Sequence, residues 1–498
     1  MAFAFLFKKS FYHKGTKDTK KSFCVEKELR RNSVTSALLG GKALPPNFTE
    51  VTESRRKKTN FLLMLKPSKH LFFILFFAKL AFGQSEVHLR VETNTFTRIP
   101  VELKDCTTRS QASVMDAKKV LEILDNDLWM SSVIASFRSD EQLGDANSPW
   151  LELASRGPTE PFRLAVHPQV EITGNALTLA AKLIDSRSGA LLADKSYRGC
   201  RENLRVLVHG LADDIVNVLT GQSGISQSRI VFSSEASRAK ELFVMDYDGT
   251  NIRQLTSNGS LNLTPAWSPD GLSLAMTSYQ ASGPDIFLLD AVSGKTVFHL
   301  NKAELQTAPA WSPDGKSLAF SSSHEGNSEI YVLNVSTKKI QRLTIHPAVD
   351  SSPSWSPTGR ELVFTSDRLG RPQLFVMDAE GGNLRRLTYY GEYNDSPAWS
   401  PRGDKIAYVS RVEGRFNILT MEVTGENVSQ LTTSGSNEDP CWSPDGNRIV
   451  FSSLRNGQRD LYSMEWNGEN LRRLTHRGTC SSPSWSSNAR PETTRECK

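Results

Sequence analysis

Cysteine is scarce in this chain, with six in 498 residues. A form exported after residue 83 keeps five of them, Cys106, Cys200, Cys441, Cys480 and Cys497. An odd number excludes a complete disulfide framework as the source of stability, and the spacings are not those of metal ligands. Cys441 and Cys480 lie one and five residues before the tryptophans that follow them. Equivalent strands side by side then offset the two thiols by roughly 13 Å, whereas a bridge needs Cα atoms within about 7 Å. Cys106 and Cys200 are left as a pair that can join. Also missing is any Gly-x-Ser-x-Gly elbow. The nearest stretch, Gly221-Gln222-Ser223-Gly224, fails at Ile225, which argues against a serine hydrolase. A basic surplus is lacking too, despite a formal charge of +6. Residues 1–83 hold 17 Lys/Arg against 5 Asp/Glu, leaving 43 against 49 in the remainder. No basic field is left to neutralise phosphates, which excludes nucleic acid as the partner.

Long hydrophobic runs are absent as well. Leu71–Ala78, preceded by Lys66 and Lys69 and followed by Lys79 and Ala81-Phe82-Gly83, is too short for a membrane span. It reads as a secretory signal over residues 64–83, translated from Met64. Processing then yields a chain starting at Gln84 with no stable membrane span. A non-cleaved interfacial anchor is the alternative, and Ser54-Arg55-Arg56 hints at a twin-arginine signal. Residues 1–63 read as an unstructured or over-extended leader.

What the chain does have is a repeat. Pro-x-Trp-Ser recurs six times, at Trp267, Trp311, Trp355, Trp399, Trp442 and Trp485, spaced 44, 44, 44, 43 and 43 residues apart. A period in the low forties is that of β-propeller blades. Each unit runs through a strand ending at Trp, a turn such as Ser312-Pro313-Asp314-Gly315, and three further strands. The second-strand sequence appears once ahead of every tryptophan, at Ile230–Ser234, while Trp485 has none after it. One incomplete unit at each end makes a whole blade. The reading is therefore six blades over residues 228–498, the last built from Ser482–Ser486 and residues 228–256. The tryptophans fill the space between blades. Asp246, Asp290, Asp378, Glu422 and Glu465 serve turns between third and fourth strands.

Before the repeat, residues 84–222 read as a small α/β domain. Glu86–Glu92 is a strand, and Asp116–Leu128 a helix with Val120, Leu121, Leu124 and Leu128 on one face. Leu177, Leu179, Ala181 and Leu183 alternate as a strand, and the turn Ser186–Gly189 leads into Ala190–Tyr197. Leu204–Leu219 is a second helix with Leu207, Val208, Leu211, Ile215 and Val218 inward and Gly221 past its end. The short linker, 221–228, packs this domain against the propeller. The fold class is an α/β N-terminal domain followed by an all-β six-bladed propeller.

Ser196-Tyr197, Leu204-Arg205, Leu219-Thr220-Gly221 leading into Arg229-Ile230, Met245–Gly249 and Phe364–Gln373 together resemble the TolB family of periplasmic propeller proteins of the Tol-Pal system. The similarity runs from about residue 86 to the C-terminus. It implies a non-enzymatic scaffold in the periplasm, without cofactor. Such a scaffold binds the lipoprotein Pal with its propeller and TolA with its N-terminal tail, and supports outer-membrane integrity and constriction during division. Other envelope proteins are further partners. The tail falls on Glu86, Val87, His88 and Leu89, read by β-augmentation.

Loops that bring the chain from an outermost strand to the next innermost one reach the channel mouth, so the residues three to five before each Trp form a rim. That rim is polar and, over three blades, acidic: Asp350-Ser351-Ser352, Asn394-Asp395-Ser396 and Asn437-Glu438-Asp439. By the resemblance, Pal docks there on Leu305, Ala308 and Ser351, with Asp395 and Glu438 steering its approach. Leu305 departs from a pattern in which a histidine can occupy that place. Two other readings are a solvated loop ring, and a calcium ion held by Asp350, Asp395, Glu438 or Asp439. The alternative function class is a periplasmic propeller enzyme, a metal-dependent lyase or a peptidase-like protein. The former needs converging histidines, but His299, His324, His346 and His476 fall in different repeat phases.

Overall fold

The computed structural model describes residues 98–108, 114–138, 164–236, 239–281, 283–301 and 305–488. The leader, the signal, the strand expected at Glu86–Glu92 and the tail residues Glu86, Val87, His88 and Leu89 lie outside the described residues. The N-terminal domain is a sheet of β1 (Ile99–Leu103), β2 (Ile134–Arg138), β3 (Leu164–Thr173), β4 (Ala176–Asp185) and β5 (Leu191–Cys200) in the order β2-β1-β3-β4-β5. β1 runs parallel to β2 and β3, and the rest are antiparallel. Helix α1 (Val114–Met130) makes the crossover that a parallel pair requires. Its Val120, Leu124 and Leu128 enter the same core as Leu207, Val208, Leu211 and Ile215 of α2 (Leu204–Thr220). Gly221, at φ 73°, ends α2 by donating its N–H to the Asn217 carbonyl. Val218, expected inward, is 40% exposed, because in the last turns Val216 takes the place against the core.

The Cys106–Cys200 bridge that the sequence leaves open does not form. Cys106 is a free thiol, as are Cys441 and Cys480, whereas Cys200 is disulfide-bonded. Cys106 leads into the bridge at Thr107 on the β1 side of β3, and Cys200 ends β5 at the far edge. Three strand spacings, roughly 14 Å, separate those positions. Burial, partly offset by a hydrogen bond to Val170, pushes the Cys106 thiol up to about 12.

Among the described residues the propeller comprises six four-stranded sheets. The innermost strands of blades 1 to 6 are Asn262–Trp267, Gln306–Trp311, Asp350–Trp355, Asn394–Trp399, Ser436–Trp442 and Ser481–Trp485. Blade 6 draws on both ends of the repeat region. Its inner strand, Ser481–Trp485, pairs antiparallel with Arg229–Ala236, placing Trp485 opposite Ile230. The Ser-Pro-x-Gly turns stack from blade to blade. A Cβ on Gly403, at φ 77°, would meet Pro357 Cγ at 3.2 Å, and one on Gly446 would meet Arg402 Cγ at 2.9 Å. Glycine is therefore required both by the left-handed turn and by the approach of the preceding blade.

Each blade carries a buried polar group at the same place on its third strand: Glu241, Asp285, Glu329, Gln373, Asn417 or Asp460. In five blades a threonine at the end of the fourth strand serves it. Thr256 donates to Glu241 at 2.6 Å, Thr344 to Glu329 at 2.6 Å and Thr475 to Asp460 at 2.8 Å. Leu300 occupies the threonine position in blade 1, where the ring of His299 reaches Asp285 at 2.6 Å instead. These bonds fix the loop toward the next inner strand, because the same carboxylates accept the N–H groups of Gly259, His346 and Gly478.

Candidate protein-interaction site

The rim is built from the first residues of the inner strands. Asn262, Gln306, Asp350, Asn394 and Asn437 are buried. Ser278 donates to Asn262 at 2.7 Å and Ser453 to Asn437 at 2.8 Å, so this layer is structural. Two residues on, every blade places a left-handed residue: Thr264, Ala308, Ser352, Ser396, Asp439 and Ser482, at φ 45–55°. Strand pairing shifts register beside each of them, the mark of a bulge. The bulge turns N–H groups onto the neighbouring blade. Ala308 donates to Thr277 Oγ1 at 3.2 Å, Ser352 to Ser321 Oγ at 3.2 Å and Ser482 to Asp439 Oδ2 at 3.0 Å. The mouth is thus a rigid ring of small, half-buried side chains.

Leu305, Ala308 and Ser351 all lie at this mouth, half-buried, in blades 2 and 3. Leu305 exchanges main-chain contacts with Ser323, donating to its Oγ at 3.3 Å and accepting from its N–H at 3.1 Å. The rim acids are committed to the protein. Asp350 accepts at both of its oxygens from a single Arg368 nitrogen, Nη2, at 2.9 and 3.1 Å. Asp395 accepts from Thr365 at 2.9 Å and Tyr393 at 2.8 Å. Glu438 pairs with Arg459 at 2.9 Å. Desolvation raises Asp350 above its ordinary range in spite of Ser366 and Arg368. Desolvation, then the Glu438 charge, raises Asp439.

This arrangement departs from the calcium reading. Asp350, Asp395, Glu438 and Asp439 each face a separate protein partner, and among the described residues no three His, Cys, Asp or Glu side chains gather as metal ligands. Calcium needs six to eight oxygens around one point. The spacing in sequence put these acids in one ring, but the blade-to-blade rotation points them at different neighbours.

The tryptophans sit between blades. Trp311, Trp355 and Trp442 donate their indole N–H to the carbonyls of Ala266, Ala310 and Ala398 on the preceding blade, at 3.0–3.2 Å. Where the preceding blade offers Ser or Cys at that place, the bond changes. The main-chain N–H groups of Trp267, Trp399 and Trp485 go to Ser484 Oγ, Ser354 Oγ and Cys441 Sγ.

Sequence reasoning missed the polar seam between the two domains, which lies at the other end of the blades. Asp127 of α1 is fully buried, and its carboxylate joins His209 of α2 and Tyr247 of the propeller, each at 2.6 Å. Arg205 of α2 binds Asp246 and Asp248. Glu465 binds Arg98 and lies 3.8 Å from the buried Arg448, and both guanidinium groups approach the ring of Trp129, at 5.0 and 5.8 Å. Desolvation lowers Arg448 to about 10 against the pull of Glu465. Asp246 and Glu465 do serve their turns, through Asn251 and Asn470. The second use of that repeat position has one signal in sequence: of the six units, only the fifth and sixth have Arg at the start of the second strand, Arg448 and Arg229, each paired with such an acid, Glu465 and Asp246.

Among the described residues no helix is long and apolar enough to cross a membrane. The chain is 42% identical over 124 residues to a protein TolB homolog of Chlorobium chlorochromatii, a match covering 25% of this chain and 28% of that protein. It is 43% identical over 111 residues to the Tol-Pal system protein TolB of Geobacter sulfurreducens, covering 22% and 26%. These matches span little more than a quarter of each relative's length. The solved structure of TolB from Acinetobacter baumannii superposes with a TM-score of 0.66 at 26% identity, over 78% of this chain and 97% of that one. A family model described as the TolB beta propeller domain matches residues 216–489, more than half the chain. With the shared-blade closure, the tryptophan seams and the α/β domain in front all in place, the chain belongs to the TolB propeller family.

Proposed function

We propose that this protein is a non-enzymatic scaffold of the Tol-Pal system in the periplasm. Its propeller rim binds the lipoprotein Pal, and its N-terminal tail at Glu86–Leu89 is captured by TolA. In this role it supports envelope integrity and constriction at division. The observation that carries the reading is the rim itself. Ala308 and Ser351 are held on a rigid bulged ring, at the end of the blades away from the polar seam with the α/β domain. A ring of small side chains over a channel accepts an inserted loop without reorganising, and preorganisation of this kind favours affinity. Because Arg459 offsets Glu438 and Tyr393 and Thr365 occupy Asp395, shape outweighs charge at this mouth.

The test is binding of the soluble Pal domain from the same cell at two salt concentrations. Ala308→Trp is expected to abolish docking while circular dichroism stays unchanged. Reversing Asp395 and Glu438 to Lys slows association and alters its salt dependence. If both variants bind like the wild type, the rim is not the interface. For the tail, deletion of residues 84–90 is expected to remove TolA capture with the propeller intact, and undiminished capture would refute that part.

A further inference from the structure

The propeller contains its own control for surface composition, because the same loop occurs in every blade. Each described loop that leaves a fourth strand through Leu-Thr continues with two tip residues. Three of these tips are Ser257-Asn258, Thr433-Ser434 and His476-Arg477. The other two, on either side of blade 3, are Ile345-His346 and Tyr389-Tyr390. Ile345 is 81%, Tyr389 67% and Tyr390 87% exposed. The loop fold does not ask for Ile345, Tyr389 or Tyr390, since its threonine anchor is the same in all five: Thr256, Thr344, Thr388, Thr432 and Thr475. Among the described residues only Tyr389 of the three has a cover, the Arg386 guanidinium 4.9 Å from its ring centre.

These residues sit on one hydrogen-bonded platform. The loop 343–349 is tied to the loop 367–372 by Val349 N–H to Asp367 Oδ1 at 2.8 Å and by Asp367 N–H to the Val349 carbonyl at 3.2 Å. The loop 367–372 is tied in turn to the loop 387–393, by Asn394 N–H to the Pro372 carbonyl at 3.0 Å and by the ion pair Arg371–Glu392 at 2.9 Å. Leu369, 56% exposed, projects from the middle loop. Ile345, Leu369, Tyr389 and Tyr390 therefore form an apolar shelf over blade 3, on the side of the propeller that carries the mouth.

We infer that this shelf is the second half of the rim partner's docking surface, covered by an apolar patch on the folded Pal domain. The inference rests on the proposed function. Contact area supports it. A specific interface takes about 800 Å² from each partner, and apart from Leu305 the apolar residues at the mouth are small and half-buried, such as Ala308. A partner standing on blades 2, 3 and 4 must find the rest of its contact outside the ring. On those blades the shelf supplies the large exposed side chains, and it adjoins the mouth through Tyr393, whose hydroxyl binds Asp395 at 2.8 Å. Exposed tyrosines on a rigid platform are the residue type that dominates binding energy at interfaces.

The next blade supplies the test substitution. Tyr389→Thr with Tyr390→Ser installs the tip that blade 4 already carries at Thr433-Ser434, so folding is preserved. Affinity for the soluble Pal domain is measured for the full mature chain, for this double variant, for Ala308→Trp, and for a double variant converting Ser257-Asn258 to Tyr-Tyr. The expected result is a loss of about 30-fold or more in the first double variant and none in the last. Unchanged affinity of Y389T/Y390S, with Ala308→Trp still blocked, overturns the shelf and leaves the rim reading standing. Loss in Y389T/Y390S with Ala308→Trp unaffected supports the shelf and removes the rim. No binding by the wild type overturns both. Wild-type self-association in sedimentation that disappears in Y389T/Y390S puts a second copy on the shelf, and overturns the inference as well.

Discussion

The two ends of the propeller pair their charges differently, across two domains at one end and within single blades at the other, where even the buried Asp350 is met by Arg368 of its own blade. At the seam with the α/β domain, Asp127, Glu465 and Arg448 are buried, and each is held by groups from both domains. At the mouth, Glu438 and Arg459 keep about a quarter of their side-chain surface in solvent, and they belong to one blade. The repeat is the same at both ends. The difference teaches that a blade turn becomes a joint only where a second body removes water from it, because a charge pair gains specificity from burial and risks a large penalty if one member is lost.

The most severe way to break the seam end is through the closing strand. Ending the chain at Thr479 removes Ser481–Trp485, and with it the partner of Arg229–Ala236 and the Trp485 that packs with Ile230, Phe232 and Met130 of α1. The loss should exceed the about 3–5 kcal/mol of a single large core truncation, and it is read as a collapse of the thermal transition. A truncated chain melting like the full one would contradict closure by a shared blade.

A matched pair of substitutions sharpens the comparison directly. Glu465→Gln leaves Arg98 and Arg448 facing each other without a counter-charge and should cost about 3–5 kcal/mol. Glu438→Gln at the mouth should cost less than about 1 kcal/mol. Urea denaturation of both variants decides it, and equal losses would erase the distinction between the two ends.

The smallest effect is a pH dependence confined to the seam. Burial alone lowers the His209 imidazole, but the adjacent Asp127 outweighs it and raises the group above its ordinary value. Desolvation also raises Asp127, against the help of His209 and Tyr247. A raised histidine stabilises the fold fully below its unfolded value near ~6.5 and loses that contribution as pH climbs through the raised value. Asp127 acts in the same direction, since its ionised form is disfavoured inside. Arg205 and Asp248 flank the pair with opposite charges. Stability should therefore fall as pH rises above about 6.5, and His209→Gln should flatten the profile between pH 6 and 9. A wild-type profile already flat over that range would show that the pair does not titrate there.

The amino-acid sequence by itself determined the blade count, the shared closing blade, the two helices and the place of the tryptophans, because each depends on spacing that local geometry converts directly into position. Forty-odd residues make a blade, and a Pro-x-Gly turn follows each of the first five inner strands. Turn roles were equally legible: Asp290 holds Ser293 and Asp378 holds Asn383 through short local bonds. Tertiary structure alone decided which way the rim acids face, that Cys106 and Cys200 end three strands apart, and that Val216 rather than Val218 closes the core. It also decided that Asp127, His209 and Tyr247, from three distant segments, meet in one buried cluster. Periodicity fixes what is near along the chain. Contacts across blades and between domains depend on how rigid bodies rotate against each other, and no single segment encodes that rotation.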